Sequence, residues 1–341
     1  MVFDPSKDPR GIIPRTNRSR GVNLTCPLCS EIIHNFLLGK TLIFENEVRR
    51  MEKRKRRFGD RKDGRKLRSL APYETMSPYF MGKRNDSQNL IRDQFDTEVI
   101  DAYVRQKRME GYKGFGIMHV IIAAYIRILA QKPRLNRFIA GQKIFARNDI
   151  VINMAVKKEL REDDVTTIIK VKFELTDTAI DVFNKFNKAL EEAFKEEESS
   201  FDGTARLLNY IPGLVKKFTV SSFHVLDYFG FLPNSITDVS PFHGSMFITS
   251  MGSLGIPPIY HHLYNFGNVP VFVAFGTKRT QNELADDGSV VKKKYMDYTV
   301  VSDERICDGY YFASALKIFR KLLIHPERLD LAPLEIKSDI E

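Results

Sequence analysis

The most informative segment of the sequence lies near the C-terminus and reads Val301-Ser302-Asp303-Glu304-Arg305-Ile306-Cys307-Asp308-Gly309. It joins an apolar run, predicted as a strand over residues 290–302, to an amphipathic segment predicted as a helix over residues 310–323. A plain turn does not require this many charged side chains, so we expect the stretch to hold polar groups in a defined arrangement. From the residues alone, the simplest interpretation is an ion pair between Arg305 and Asp308, with Asp308 capping the following helix.

The segments before this stretch predict an α/β protein. Apolar residues at helical spacing predict helices, and runs rich in β-branched and aromatic residues predict strands. The predicted helices cover residues 86–109, 115–131 and 178–194, and the predicted strands cover residues 150–156, 166–175, 244–250 and 269–277. The pair Asp287-Gly288 predicts a long hairpin between the last of these strands and the strand over residues 290–302. We therefore expect a sheet with helices packed on it.

Composition narrows the class of protein. The 341 residues are 43% hydrophobic and 28% charged, which excludes a disordered polar chain and supplies enough apolar mass for a core. No apolar run is long enough to predict a membrane span. Three cysteines and the lack of a signal-peptide pattern favour a reducing, cytoplasmic setting. Cys26 and Cys29 form a CxxC pair without a second pair to complete four ligands, so we expect no metal.

The net charge of +10 is concentrated in one segment. Residues 49–68 carry twelve basic side chains against three acidic ones, whereas residues 69–341 carry 35 of each. A basic folded surface, typical of a nucleic-acid-binding domain, is therefore not expected, and nucleic acid could bind through this segment alone. The segment is interpreted either as solvated and disordered or as a binding site for RNA, anionic lipid or the phosphates of a partner.

A family resemblance enters at residues 302–309. They resemble the HxxxDG signature of the chloramphenicol acetyltransferase-like fold, and in particular the Asp-His-Arg-x-x-Asp-Gly motif in the catalytic domain of 2-oxoacid dehydrogenase acyltransferases. Three further segments agree in order. Residues 129–136 resemble the family helix ending in Pro-x-Leu-Asn, residues 247–255 its Phe-Thr-Ile-Ser-Asn-Leu-Gly strand and turn, and residues 270–276 the strand before its hairpin. The resemblance implies a two-layer α/β sandwich, a mixed sheet with helices packed on it.

The resemblance also implies roles for individual residues. In that family the motif histidine is the general base that takes a proton from the thiol of coenzyme A or dihydrolipoamide. The base position falls on Glu304, the neighbouring arginine on Arg305, and the organising aspartate on Asp308. The oxyanion donor, supplied by a neighbouring subunit, falls on Ser250, with Thr249 as the alternative.

Because Glu304 stands where the family has its motif histidine, the resemblance does not imply the family's full activity for this chain. A glutamate of ordinary pKa, about 4.3, is roughly two units less basic than imidazole at about 6.5, a deficit of about 3 kcal/mol in driving force. Burial of Glu304 would offset part of this deficit. Alternatively, His243, His261 or His262 supplies a base from beside the glycine-rich turn.

Two functions remain open. The first is a CoA-dependent acyltransferase of weak or altered activity, which uses coenzyme A or acyl-CoA as a substrate and transfers the acyl group to a thiol or other acceptor. The second is a catalytically silent trimeric scaffold or regulatory subunit. The sequence contains no lipoyl-domain motif, so we expect the acyl group to come from a lipoyl-bearing or acyl-carrier partner. The polar C-terminus favours a homotrimer over a cage. The sequence does not identify residues that bind coenzyme A.

The chain is expected to divide into three parts. Residues 1–69 form a poorly ordered, basic tail, residues 70–328 the acyltransferase-like domain, and residues 329–341 a polar C-terminal tail. Residues 200–241 are an apolar insertion relative to the family. They are interpreted as extra core or trimer contact, or else as a lid over an acyl pocket or a patch that docks on a partner.

Overall fold

The computed structural model describes residues 55–157, 166–195, 210 and 212–341. The Cys26/Cys29 pair and the first part of the insertion lie outside the described residues. The strands are β1 (Gly64–Lys66), β2 (Gln88–Asp96), β3 (Arg137–Ala140), β4 (Lys143–Arg147), β5 (Ile150–Lys157), β6 (Thr166–Phe173), β7 (Met246–Ser250), β8 (Val271–Leu284) and β9 (Val290–Asp303). The helices are α1 (Pro72–Phe80), α2 (Glu98–Met109), α3 (Ile117–Gln131), α4 (Ala179–Lys195), α5 (Gly213–Phe229), α6 (Asn234–Val239) and α7 (Gly309–Ile324).

The main sheet has six strands in the order β2-β9-β8-β7-β5-β6. Strand β7 runs parallel to both of its neighbours, β5 and β8, and the other pairs are antiparallel. The β8–β9 hairpin turns at Gly288, whose φ of 80° lies in the left-handed region that glycine adopts without strain. The predicted mixed sheet is therefore confirmed, and its centre is built by the hairpin that leads to residues 301–309.

Different sets of residues pack on the two faces of this sheet. One face carries Ile152, Ile248, Val273 and Val300, which join the large core cluster with residues of α2, α3, α4 and α7. Twelve of the fifteen residues of α3 are buried, as expected for an apolar helix between other elements. The opposite face carries Phe247, Phe272 and Val301, which pack with Leu263 in a smaller cluster. The expected layering of helices on a sheet is confirmed.

One predicted helix is wrong in its first half. Residues 86–109 contain the strand β2 (Gln88–Asp96) before the helix α2 (Glu98–Met109). Strand β2 lies at the edge of the sheet, and its mostly polar residues are largely accessible. A sequence of this composition does not predict a strand by itself. The strand depends on nine residue pairs with the distant strand β9.

The two ends of the described chain meet at a second, three-stranded sheet, in the order β1-β4-β3. The backbone N–H groups of Arg68 and Ser69 both donate to the Glu341 carbonyl. Arg137, which is fully buried, forms a two-pronged ion pair with Asp339, with both N–O distances at 2.7 Å. Described residues of both segments that were expected to be tails, Arg68 and Ser69 at one end and Asp339 and Glu341 at the other, thus contribute contacts to the folded protein.

No helix among the described residues is both long and apolar enough to cross a membrane.

The buried histidine of α3 generates a pH prediction. Burial lowers the pKa of His119 to about 4, and its Nδ1 accepts a hydrogen bond of 3.0 Å from the Gly116 N–H. The unfolded chain binds this proton near pH 6.5, so the stabilisation is present above pH 6.5 and is lost as the pH falls toward 4. The expected loss is about 3 kcal/mol. Urea unfolding of the wild type and of His119→Phe between these pH values measures it.

The variant His119→Phe should show a correspondingly shallower pH dependence, whereas His262→Gln, at an exposed position, should keep the wild-type dependence. Equal slopes for the wild type and His119→Phe would contradict this assignment.

Candidate active site

The frame of the candidate site is a buried ion pair at the end of β9. Arg305 Nε donates to Asp303 Oδ1 at 2.8 Å, and its Nη2 donates to Asp303 Oδ2 at 2.7 Å. The Arg305 backbone N–H also donates to Asp303 Oδ1, at 3.1 Å. Both side chains are buried. This parallel, two-pronged geometry is the strongest form of carboxylate–guanidinium pairing and fixes the backbone between the two residues.

A second arginine completes the frame. Arg84 is buried, and its Nε lies 3.5 Å from Asp303 Oδ2. Burial and the nearby charge of Arg305 lower the pKa of Arg84, and the charge of Asp303 partly offsets this effect. Arg305 Nη1 donates to the Met81 carbonyl at 2.7 Å, and the Glu304 N–H donates to the Ser87 carbonyl at 2.8 Å. The frame is therefore tied to the segment that leads into β2.

The candidate base and the organising aspartate are both exposed in one copy of the chain. Glu304 lies between the buried residues Asp303 and Arg305, and its own side chain faces outward. Asp308 is the N-cap of α7, where its Oδ1 accepts a hydrogen bond from the Tyr311 N–H at 2.8 Å. The predicted cap is confirmed. The predicted ion pair between Arg305 and Asp308 is wrong, because Arg305 is held by Asp303, two residues away.

The candidate oxyanion donors lie at the other end of the sheet. Ser250, half-buried, ends β7 and is paired with Phe275 of β8. Ser302, just before the frame, is paired with Val271 of β8. The four-residue interval along β8 separates the two levels by roughly 13 Å. Within one copy the structure does not bring Ser250 and Glu304 together.

Thr249, the alternative donor, is buried, whereas Ser250 is partly accessible. The Ser250 carbonyl accepts a hydrogen bond from Ser253 Oγ at 3.0 Å, within the turn that follows β7. A Cβ atom at Gly252 would lie 2.7 Å from the Gly276 carbonyl, so the turn requires glycine where it crosses β8. Accessibility favours Ser250 over Thr249 as a group that can meet a ligand.

An apolar cavity of about 60 Å³ lies between the sheet and helices α3 and α7. Its lining includes Met246, Val273, Tyr298 and Phe312. Cys307, inside the motif, is buried in the same core cluster, and burial raises the pKa of its thiol to about 12. A thiol with such a high pKa is not a nucleophile near neutral pH, so Cys307 is assigned to packing.

Of the three histidines named as alternative bases, His243 and His261 are held by hydrogen bonds or ring stacking, whereas His262 is exposed. His243 is buried, its Nδ1 lies 2.9 Å from Ser240 Oγ, and its Nε2 lies 3.5 Å from Asp227 Oδ1, which is long for a hydrogen bond. His261 stacks on Phe272, with ring centroids 4.4 Å apart. His243 precedes β7 at the same end of the sheet as Glu304, but its burial leaves it without the access to substrate that a base requires.

The cluster around His243 was missed by the sequence analysis. Asp227 on α5 accepts a hydrogen bond of 2.7 Å from Arg61, which also pairs with Asp63 at 3.0 Å. Burial acts to raise the pKa of Asp227, but the contacts with His243 and Arg61 outweigh burial and lower the pKa to about 2. The only sequence signal was the short Ser240-x-x-His243 spacing, since the other members are far apart in the chain.

No group of three or more His, Cys, Asp or Glu side chains that could hold a metal ion occurs in the described parts of the chain.

Comparisons with known proteins give structural neighbours at low identity. No family model and no curated protein matches the sequence. A probable dihydrolipoamide acetyltransferase from Listeria monocytogenes is 15% identical, with a TM-score of 0.46, over 77% of this chain and 95% of that one. A truncated catalytic core of the 2-oxoacid dehydrogenase multienzyme complex from Thermoplasma acidophilum is 13% identical, with a TM-score of 0.46, over 76% and 98%. A chloramphenicol acetyltransferase is 12% identical, with a TM-score of 0.41, over 75% and 96%.

These solved structures are 2-oxoacid dehydrogenase acyltransferases and a chloramphenicol acetyltransferase, the two kinds of protein that residues 302–309 resemble. At this identity and with TM-scores below 0.5, these matches carry no conclusion about the chemistry of this chain.

The ion-pair frame generates a stability prediction. Asp303→Asn leaves the buried guanidiniums of Arg305 and Arg84 without a full negative charge, so we expect the free energy of unfolding to fall by about 3–5 kcal/mol. Asp308→Asn is the matched control, because asparagine is an equally good N-cap and the position is exposed. Chemical denaturation of the two variants measures the difference. A loss below about 1 kcal/mol for Asp303→Asn would contradict the role assigned to the frame.

Proposed function

We propose that this chain transfers an acyl group between coenzyme A and a thiol or other acceptor, at a site shared by two copies of the chain. Glu304 of one copy stands in the base position, and Ser250 of the next copy donates a hydrogen bond to the oxyanion. The observation that carries the proposal is the buried Asp303–Arg305 pair, which fixes the backbone so that the Glu304 carboxylate faces outward.

The separation of Ser250 from Glu304 within one copy supports a shared site. The two residues lie at opposite ends of the central strands, so a neighbouring copy must bring its Ser250 end to the Glu304 end. Such a contact joins two different surfaces, and repetition of it closes into a ring when the rotation allows. A homotrimer is the ring that we propose. The acyl group would arrive on a lipoyl-bearing or acyl-carrier partner.

The proposed reaction is a thioester exchange. The Glu304 carboxylate takes the proton from the acceptor thiol, and the thiolate forms a bond to the acyl carbonyl carbon. The Ser250 hydroxyl donates to the tetrahedral oxyanion. The bond between the acyl carbon and the sulfur of coenzyme A then breaks, and the leaving thiolate takes the proton back from Glu304. Contact with the next copy would shield Glu304 from water. A carboxylate that is removed from water becomes a stronger base.

The activity prediction uses three substitutions at one position. In a thiol-exchange assay with acetyl-CoA and dihydrolipoamide, Glu304→Ala should remove turnover above the uncatalysed background. Glu304→Gln should behave like Glu304→Ala, because an amide does not take the proton. Glu304→His should raise the rate by about tenfold to 100-fold, since imidazole recovers most of the deficit in basicity.

The variant Glu335→Ala is the control, since it removes an exposed glutamate outside the motif and should keep wild-type turnover. Unchanged turnover in Glu304→Ala would overturn the role of Glu304.

A second candidate function is the catalytically silent scaffold or regulatory subunit. The resemblance implies that the motif aspartate orients an arginine, whereas the carboxylate of Asp308 caps α7 and Arg305 pairs with Asp303, which favours this second function. In that case wild type and Glu304→Ala have equal background rates, and Glu304→His creates turnover. The same three variants therefore separate the two functions.

A further inference from the structure

The apolar cavity between the sheet and helices α3 and α7 is large for a protein interior. Its volume is about 60 Å³, whereas about 10–15 Å³ is enough to hold one water molecule. Interiors contain few voids larger than a water molecule, because side chains beside an empty space lose their contacts on that side. A ligand that filled this space would restore those contacts.

The lining of the cavity suits an apolar ligand. It consists of apolar and aromatic side chains, among which Tyr125 and Tyr298 carry hydroxyl groups. Tyr125 Oη donates to the Ser245 carbonyl at 3.2 Å, and Tyr298 Oη donates to Asp93 Oδ2 at 2.9 Å. Both hydroxyl protons are thus used elsewhere. The cavity offers water no side-chain donor, so an apolar ligand suits it better than water.

The sheet side of the cavity lies close to the motif. Val271 is the first residue of β8, and Val300 lies three residues before the end of β9. Val271 is paired with Ser302, so this part of the wall lies two residues, or roughly 7 Å, from Glu304. The cavity is therefore at the end of the sheet that carries the proposed base, and not at the Ser250 end.

The helical side of the cavity reaches the motif as well. Phe312 lines the cavity and lies in the first turn of α7, the helix that Asp308 caps. Leu135 also lines it and belongs to the 3₁₀ turn Pro133–Asn136, which lies beside residues 304–306. Leu135 and Phe312, both buried, thus form the end of the cavity nearest the motif.

We propose that this cavity holds the end of the acyl chain of the thioester, so that the protein binds longer acyl groups more tightly than acetyl. The inference rests on the proposed acyl transfer, since the thioester carbonyl lies at Glu304 and the chain passes between Leu135 and Phe312. An engineered cavity of about 150 Å³ binds the six-carbon ring of benzene, so a volume of about 60 Å³ corresponds to about two or three carbons. No bond forms or breaks in the cavity, which sets the preferred length of the acyl chain and not the chemistry.

A thioester suits this position better than a free fatty acid. The entrance of the cavity lies beside the exposed carboxylates of Glu304 and Asp308. These two charges would repel the carboxylate of a fatty acid, whereas a thioester group is uncharged. The cavity is therefore assigned to an acyl chain that is joined to sulfur.

The test is the affinity of the full chain for acetyl-, butyryl-, hexanoyl- and octanoyl-CoA, measured by isothermal titration calorimetry. No acceptor thiol is present, so binding is measured without turnover. Each methylene that enters the cavity should tighten binding about fourfold. With about two or three carbons in the cavity, the affinity should rise by about 15-fold to 60-fold in total and then level off.

Two variants change the volume of the cavity. Ala315→Leu fills it, so octanoyl-CoA should bind within about threefold of acetyl-CoA. Val273→Ala enlarges it, so the affinity should go on rising to a longer chain than in the wild type. The matched control is Ala313→Leu, which adds the same side chain at an exposed position of α7 and should keep the wild-type dependence on chain length. Circular dichroism confirms that each variant is folded.

The outcomes separate this inference from acyl transfer itself. Equal affinity of the wild type for acetyl-CoA and octanoyl-CoA would overturn the role of the cavity, and so would a chain-length dependence that persists in Ala315→Leu. Neither result affects the turnover predicted for the Glu304 variants. Octanoate that binds as tightly as octanoyl-CoA would assign the cavity to a free fatty acid instead. Absence of binding by all four thioesters would overturn the inference, and the thiol-exchange assay then decides separately on acyl transfer.

Discussion

The arrangement of the candidate site depends on one buried carboxylate. Asp303 accepts two parallel hydrogen bonds from Arg305 and lies 3.5 Å from the guanidinium of Arg84. Burying any one of these three charged groups without the others would cost much free energy, so each requires the other two. Their pairing joins the end of β9 to the segment before β2 and forces the side chain between them, Glu304, to face outward. The position of the proposed base thus follows from the desolvation of its neighbours.

The sheet gives the second constraint. Parallel strands β7 and β8 place Ser250 at one end, while the antiparallel strand β9 delivers Glu304 to the other. In the proposed site these two ends act as half-sites, and a head-to-tail contact between copies would bring the unlike halves together.

Much of the fold could be predicted from local signals. The Asp287-Gly288 pair, the apolar spacing of α3 and the cap at Asp308 each depend on residues close in sequence, and all three are confirmed. The errors involve distant partners. Strand β2 forms because β9 lies beside it, and the buried Asp303–Arg305 pair includes Arg84, which lies more than 200 residues earlier in the chain. Local spacing contains no information on such partners, so the ion-pair frame and the Asp227–Arg61 link required the structure.

In the proposed site, one catalytic unit takes Glu304 from one copy and Ser250 from another. Mixing the variants Glu304→Ala and Ser250→Ala, each expected to be inactive alone, tests this arrangement when they are unfolded and refolded together and assayed for acetyl-CoA thiol exchange. Random assembly places an intact Glu304 opposite an intact Ser250 at about one quarter of the shared sites, so the mixture should recover about one quarter of wild-type turnover. A mixture no more active than either chain refolded alone would contradict the account.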